Sequence, residues 1–200
     1  MFQKDTNGKL VLSDEQIDKA VQKIINKKKK HKTFTFTMLI NDKEVTVVKF
    51  RNLVDLDKLS PSSRRKVTKR YMLKAFEGLT VKTIDGRSIT VKSTGGADKM
   101  NFQSKQRISL FIDDLIRTGS LRSSGPDYHN CLIHWYYYDS FFAFENKVLY
   151  ANINIKEING EYSFYDINKI KEVDTSTPLN MERGSNLNSN ITSDDDDVKE

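Results

Sequence analysis

Residues 134–167 decide the fold of this chain, and they read HWYYYDSFFAFENKVLYANINIKEINGEYSFYDI. Aromatic and β-branched residues dominate three segments of this stretch, which the turn signals Glu145-Asn146-Lys147 and Asn159-Gly160 separate. Asn and Gly tolerate the positive φ angles that tight hairpin turns require. The stretch therefore predicts a three-strand antiparallel meander.

The residues before the meander predict helices and hairpins. Ser13 caps a predicted helix with an apolar stripe, and a second helix opens at Ser60-Pro61, where proline suits the first helical position. Hairpins are predicted around Asn41-Asp42 and Asp85-Gly86. A third helix is predicted at about residues 102–118, with a loop over residues 120–127. Together these elements predict an α+β fold in which helices pack on an antiparallel sheet, preceded by an N-terminal helix and β-hairpin.

Three parts are predicted along the chain. Residues 1–58 form a helix-plus-hairpin subdomain, residues 59–173 an α+β domain, and residues 174–200 an acidic tail. The tail is rich in Asn, Ser and Asp, and its apolar surface is too small to offset the entropy of ordering a backbone. We therefore predict that the tail is disordered.

Charge is distributed unevenly. The tail holds seven acidic and two basic residues, a net charge of −5, so residues 1–173 carry +11 and the whole chain +6. A strongly basic body favours a polyanionic partner, nucleic acid first, and an acidic tail could screen that surface in the free protein. The alternative is that lysine simply serves as the solubilising residue of this sequence.

Membrane association and export are not predicted. No apolar run approaches the roughly 18 residues that a membrane span needs, and the start of the chain lacks the layout of a secretory signal. Cys131 is the single cysteine, and its apolar neighbours Leu132-Ile133 predict a buried strand thiol. A cytoplasmic location fits these features.

No cofactor and no metal site are predicted. Gly95-Gly96 lacks the Gly-Lys-Ser/Thr ending of a nucleotide-binding loop and the spaced glycines of a dinucleotide fold. One Cys and three scattered His do not make a standard zinc site, and the run Asp194 to Asp197 lacks the spacing of a calcium loop.

The order of the motifs resembles a known group of phage proteins. After the basic helix and the Asp85-Gly86 hairpin come Ser93-Thr94-Gly95-Gly96-Ala97-Asp98-Lys99, the run His134 to Tyr138, the segment Asn152 to Glu157, and Phe164-Tyr165-Asp166. These motifs look like those of phage polyvalent-protein-associated domains and of phage nucleases of the barnase, EndoU, colicin and RelE-like class. Such domains occur in the C-terminal regions of phage head-morphogenesis proteins. The resemblance covers roughly residues 61–168.

The resemblance implies a toxin-like domain that cleaves RNA without a metal ion. His134 stands at the family's strand-opening histidine, and an imidazole can donate or accept a proton near neutral pH. Lys99 and Lys156 correspond to the family's lysines and would stabilise the transition-state phosphorane. Tyr165 matches the tyrosine of the final strand and would stack on a base or donate its hydroxyl. An immunity protein or another phage or host protein would be a further partner, in the bacterial cytoplasm or the virion.

One departure from the family supports a second hypothesis. Where many relatives would have an arginine, this chain has Asn152, which cannot neutralise a phosphate. The alternative function is a non-catalytic phage module that binds nucleic acid or an acidic protein. For His134 the alternative is a strand histidine packed beside Trp135, and for the aromatic run a core face rather than a base-stacking platform. Substrate-binding roles are assigned to Ser93, Thr94, Tyr136, Asn152, Asn154, Arg64 and Arg65.

Overall fold

The computed structural model describes residues 3–30, 33–50, 53–76, 78–92, 103–144 and 146–173. The helices are α1 (Asp14–Lys30), α2 (Pro61–Phe76), α3 (Gln103–Ile108) and α4 (Ile112–Thr118), with 3-10 turns at Leu56–Lys58 and Ser109–Phe111. The strands are β1 (Gln3–Lys4), β2 (Leu10–Val11), β3 (Phe34–Ile40), β4 (Lys43–Lys49), β5 (Thr80–Lys82), β6 (Ser88–Thr90), β7 (Ser120–Pro126), β8 (Ile133–Phe144), β9 (Lys147–Ile158) and β10 (Glu161–Glu172). None of the described helices has both the length and the apolar character that crossing a membrane requires.

The predicted meander and the α+β fold class are confirmed. Strands β8, β9 and β10 pair antiparallel in sequence order, and β3-β4 and β5-β6 form the two predicted hairpins. Asn146, Asn159 and Gly160 have φ angles of 65°, 54° and 81° in the meander turns. These residues adopt the left-handed region with little strain, so the turns form where the sequence predicts them.

One edge of strand β8 pairs with two different strands, β7 and β4. Its first half, His134 to Asp139, pairs antiparallel with β7, and Phe141 to Ala143 pair parallel with β4. The segment β7 was predicted to be a loop, and this prediction is wrong. Its residues Ser-Leu-Arg-Ser-Ser-Gly-Pro are mostly exposed and show no apolar alternation, because the segment is held by backbone pairing to β8 rather than by burial of side chains.

One large core lies between the helices and one face of the sheet. Helices α1 and α2 contribute Ile17, Val21, Val67 and Met72, which pack in the same cluster as Ile153 of β9. The core therefore crosses the predicted boundary between residues 58 and 59. Burial of each such side chain contributes about 1.5–3 kcal/mol to folding.

The third predicted helix is interrupted. Residues 109–111 form a 3-10 turn between α3 and α4, and Phe111 has φ −129° and ψ 23°. The Phe111 ring stacks on Phe50 with 4.0 Å between centroids and 12° between planes. Packing of this aromatic pair in the core stabilises the break, which a helical periodicity alone could not predict.

A second, small apolar cluster lies on the other face of the sheet. It joins the β3-β4 hairpin to the end of β8, and its buried members are Ile40, Val47, Ala143 and Val148. Cys131 is exposed. The prediction of a buried thiol is wrong because β8 begins only at Ile133, so that Cys131 lies in the preceding turn.

Candidate functional site

The register of β8 and β9 separates the predicted catalytic residues. His134 lies opposite Glu157, and Trp135 lies opposite Lys156. Successive side chains of a strand point to opposite faces, so His134 lies on the helix-side face and Lys156 on the open face. Tyr165 also lies on the open face, since its ring packs edge-on against Trp135 at 4.7 Å. The structure does not bring His134 together with Lys156 and Tyr165.

The remaining predicted residues have varied positions. Lys99, Ser93 and Thr94 lie outside the described residues. Arg64 is buried in α2, and its guanidinium is 3.5 Å from the carboxylate of Asp57. Arg65 is exposed on the same helix. Arg64 therefore has a structural ion pair, whereas Arg65 can reach a ligand in solution.

His134 belongs to a polar cluster on the helix-side face, which we call the His134 cluster. Tyr136 is at its centre: the ring centroid of His134 is 5.0 Å away, and the guanidinium carbon of Arg87 is 4.8 Å above the Tyr136 ring. The hydroxyl of Tyr136 donates to Glu157 Oε2 at 3.3 Å. The cluster consists of His134, Tyr136, Glu157, Tyr162 and Arg87.

The β5-β6 hairpin places Arg87 in this cluster. Arg87 pairs with Asp85 at the other side of the Gly86 turn, and Gly86 has the positive φ of 87° that the turn requires. Asp85 in turn accepts hydrogen bonds from the hydroxyl of Tyr138 at 3.1 and 3.2 Å. Tyr138 is itself buried in the core, so the core holds the guanidinium in position above Tyr136.

Two donors orient the carboxylate of Glu157. Gly160 N donates to Oε1 at 3.0 Å, and Tyr136 donates to Oε2. Burial and the neighbouring Tyr162 raise the pKa of Tyr136 to about 12. Tyr136 is therefore protonated and acts as a hydrogen-bond donor at neutral pH. An imidazole, a carboxylate, a guanidinium and a neutral hydroxyl donor therefore lie on one face.

No motif in the sequence predicts Glu157, Arg87 or Tyr162 as site residues. Counting from the turn could have found the first of these. Phe144 pairs with Lys147 across a two-residue loop, and counting back from this pair along an antiparallel ladder puts Glu157 opposite His134. The position of Arg87 has no such local signal, because β6 joins the meander by a parallel pairing with β10.

The open face presents aromatic rings around buried amides. Trp135, Tyr137 and Tyr165 are half-buried, and so is Lys156. Asn152 is only 2% exposed, and its Nδ2 donates to Tyr138 O at 3.1 Å and to Asp139 Oδ1 at 3.2 Å. Asn152 therefore has no room to bind a phosphate.

Asn154 lies beside Asn152 along the same strand and face. It is also buried, and its Oδ1 has no hydrogen-bond partner within the part of the chain that the structure describes. A buried amide oxygen without a donor is costly. This oxygen is enclosed by the protein, so it lowers the stability of the fold and is not presented on the open face.

Within the described residues, no three His, Cys, Asp or Glu side chains are grouped so that they could hold a metal ion. Comparison of the chain with models of known protein families, with curated proteins and with solved structures yields no match. Any assignment of function to the His134 cluster therefore depends on its own chemistry.

Proposed function

We propose that this protein cleaves RNA without a metal ion, with Glu157 as the base, His134 as the acid and Arg87 as the cation that binds the phosphate. One observation carries this proposal: His134 and Glu157 are register partners on one face, with the Arg87 guanidinium held above Tyr136, which contacts both of them. The phage or prophage origin and the action as a toxin in the bacterial cytoplasm belong to the same proposal and rest on the sequence motifs.

The proposed reaction is a transesterification within the RNA strand. Glu157 takes the proton of a ribose 2′-OH, and the oxygen attacks the adjacent phosphorus. The bond to the 5′ oxygen breaks, and that oxygen takes a proton from His134. The products are a 2′,3′-cyclic phosphate and a free 5′-OH. Arg87 stabilises the charge that develops on the phosphoryl oxygens, and the hydroxyl of Tyr136 holds the carboxylate of Glu157 in position.

The test is RNA cleavage by the purified protein in a chelator. We expect cyclic phosphate ends from wild type, and losses of about a hundredfold or more in rate for His134→Ala and Glu157→Gln. Lys156→Gln serves as the matched control because Lys156 lies on the other face. Absence of cleavage by wild type on every RNA tested, or dependence on a metal ion, would overturn the proposal.

A second candidate function is non-catalytic binding of single-stranded nucleic acid on the open face. The observation that favours it is the set of half-buried rings around Lys156, which lies opposite Trp135. Stacking of a base on an aromatic side chain contributes about 1–3 kcal/mol. Trp135 is already held in place, since its Nε1 donates to Asp127 Oδ2 at 2.7 Å.

The two candidate functions predict different effects on RNA binding and cleavage for substitutions on the two faces of the sheet. If the protein only binds RNA, Trp135→Ala with Lys156→Gln should weaken binding and His134→Ala with Glu157→Gln should leave it unchanged, with no cleavage by any form. If it cleaves RNA, the second pair abolishes turnover while binding persists. Measuring binding by fluorescence anisotropy and cleavage on the same RNA separates them.

A further inference from the structure

A cavity lies where the two neighbours of β8 diverge. Asp139 is the last residue of β8 that pairs with β7, and Phe141 is the first that pairs with β4. Both residues line a cavity of about 630 Å³ on the open face of the sheet. This volume lies within the range of about 300–1,000 Å³ that small-molecule sites occupy. Arg122 of β7 lines one side of the cavity, and Ile40 and Asn41 at the β3-β4 turn line another.

The wall of the cavity combines aromatic surface with an organised carboxylate. Tyr150 is 8% exposed, and its hydroxyl donates to Asp139 Oδ1 at 2.6 Å. The Phe141 ring lies 5.5 Å from that of Tyr150. Asn152 Nδ2 and Arg122 Nε also approach Oδ1, at 3.2 and 3.6 Å. Among the described residues the three donors converge on one oxygen, so the second oxygen of Asp139 remains an acceptor for a ligand.

Positive charge is in excess at this cavity. Arg122, Lys169 and Lys171 line it, together with the acids Asp139 and Glu172. Glu172 is neutralised by Lys147, whose Nζ is 2.8 Å away and which is not part of the lining. The lining therefore favours an anion.

A strained bulge in β10 positions Lys169 and Lys171 at the cavity. The register of β10 against β9 shifts between Asn168 and Lys171, and Lys169 has a φ of 52°. A non-glycine residue in the left-handed region costs of order 1 kcal/mol, and such strain is concentrated at functional sites. The bulge adds residues to β10 opposite β9, the strand that contributes Tyr150 to the cavity. Lys171 Nζ lies 5.5 Å from the Tyr150 ring centroid.

We propose that this cavity binds one nucleotide. The base packs against Phe141 and the accessible edge of Tyr150, and Asp139 accepts a hydrogen bond from an exocyclic amine of the base. The phosphate lies against Lys169, Lys171 and Arg122. The ligand is either a free nucleoside monophosphate or the phosphorylated end of an RNA strand, which present the same chemistry. This inference goes beyond RNA cleavage, because the cavity and the His134 cluster lie on opposite faces of the sheet.

The experiment is calorimetric titration of the full chain with AMP, UMP, ribose 5-phosphate and inorganic phosphate. We expect AMP to bind more tightly than ribose 5-phosphate, because the base contributes packing, and more tightly than UMP, because uracil has no exocyclic amine to donate to Asp139. Lys169→Gly removes a cation and relieves the positive φ, so that it preserves the fold. This variant should weaken AMP binding about tenfold.

Controls separate this site from the rest of the surface. Lys23→Gln makes the same loss of charge on the exposed side of α1 and should leave AMP binding unchanged. His134→Ala should also bind AMP normally, so failure of the cleavage proposal does not affect this one. RNA oligonucleotides with terminal phosphate or terminal hydroxyl identify the source of the ligand, since tighter binding of phosphorylated ends than of AMP assigns the site to an RNA end. Equal binding of AMP and ribose 5-phosphate, or equal loss in Lys169→Gly and Lys23→Gln, would overturn the proposal.

Discussion

His134 and Glu157 lie directly opposite each other on the neighbouring antiparallel strands β8 and β9. The pairing puts an imidazole and a carboxylate on the face that also carries Tyr136 and Arg87. It also moves Lys156 to the opposite face, since Lys156 precedes Glu157 by one residue. One step of register thus determines which groups can act together.

The acid–base pair predicts that the losses of cleavage rate in the two single variants do not multiply. Glu157 accepts the 2′-OH proton and His134 supplies a proton to the leaving oxygen of the same reaction, so the double variant His134→Ala with Glu157→Gln should be little slower than either single variant. Initial rates of the three variants and wild type on one RNA substrate check this. Losses that multiply in the double variant would contradict the assignment.

Asn152→Arg should destabilise the fold without producing activity. Asn152 is buried and hydrogen-bonded to Tyr138 O and Asp139, so a guanidinium in its place is overpacked and largely desolvated, at a cost of about 2–4 kcal/mol. Lys156→Arg is the control, because that side chain is half-buried and on the same strand and face. The measurement is a thermal melt with a parallel RNA-cleavage assay. A gain in cleavage with an unchanged melt would show that position 152 faces the substrate.

Tyr150→Phe should change the alkaline stability of the protein. Burial and the hydrogen bond to Asp139 raise the pKa of Tyr150 to about 12, against about 10 for an ordinary tyrosine. Between about pH 10 and pH 12 the phenol of Tyr150 is deprotonated in the unfolded chain but remains protonated in the folded protein. The stability contributed by Tyr150 is therefore complete below about pH 10 and is lost as the pH rises toward 12.

Urea unfolding between about pH 8 and pH 11 checks the effect. Tyr150→Phe should lose less stability over this range than wild type, although it starts lower because the hydrogen bond to Asp139 is missing. Tyr128→Phe is the matched control, since Tyr128 is fully exposed. Parallel curves for wild type and Tyr150→Phe would refute the prediction.

Lys28→Met should cost about 2–4 kcal/mol of stability, because it leaves the carboxylate of Asp113 without its cation, whereas Asp114 keeps Arg117 at 3.2 Å. Lys28 pairs with Asp113, lies 3.4 Å from Asp114, and donates to Leu110 O at 2.9 Å. Lys29→Met, on the exposed side of the same turn, should change the free energy of unfolding little. Chemical denaturation gives the free energy of unfolding of both variants. Equal values for Lys28→Met and Lys29→Met would show that Lys28 does not stabilise the fold.

Removal of residues 174–200 should strengthen nucleic-acid binding at low salt. The tail carries −5 and the rest of the chain +11, so its loss removes an intramolecular competitor for the basic surface. Val173 N still donates to Val148 O, so truncation after this residue preserves the end of the sheet and the melting temperature. Equal affinity of the full and truncated chains at every salt concentration would exclude screening by the tail.

Local patterns in the sequence determined the meander, the hairpins and the first two helices. The aromatic and β-branched segments of the meander and the Asn-containing turns specify strands and their connections because both act within a few residues of the chain. Likewise, the caps Ser13 and Ser60 mark helix starts by short-range hydrogen bonding, and α1 begins at Asp14 and α2 at Pro61. For these elements the sequence alone was sufficient.

Tertiary structure decided what the local patterns could not express. Strand β7 exists because β8 offers it a backbone edge, and the helix at residues 102–118 is interrupted where Phe111 stacks on Phe50. Arg87 reaches Tyr136 through a parallel pairing of strands about 70 residues apart in the chain. The predicted residues were divided between two faces, because the side chain of each strand residue follows the register of the whole sheet rather than its position in a motif.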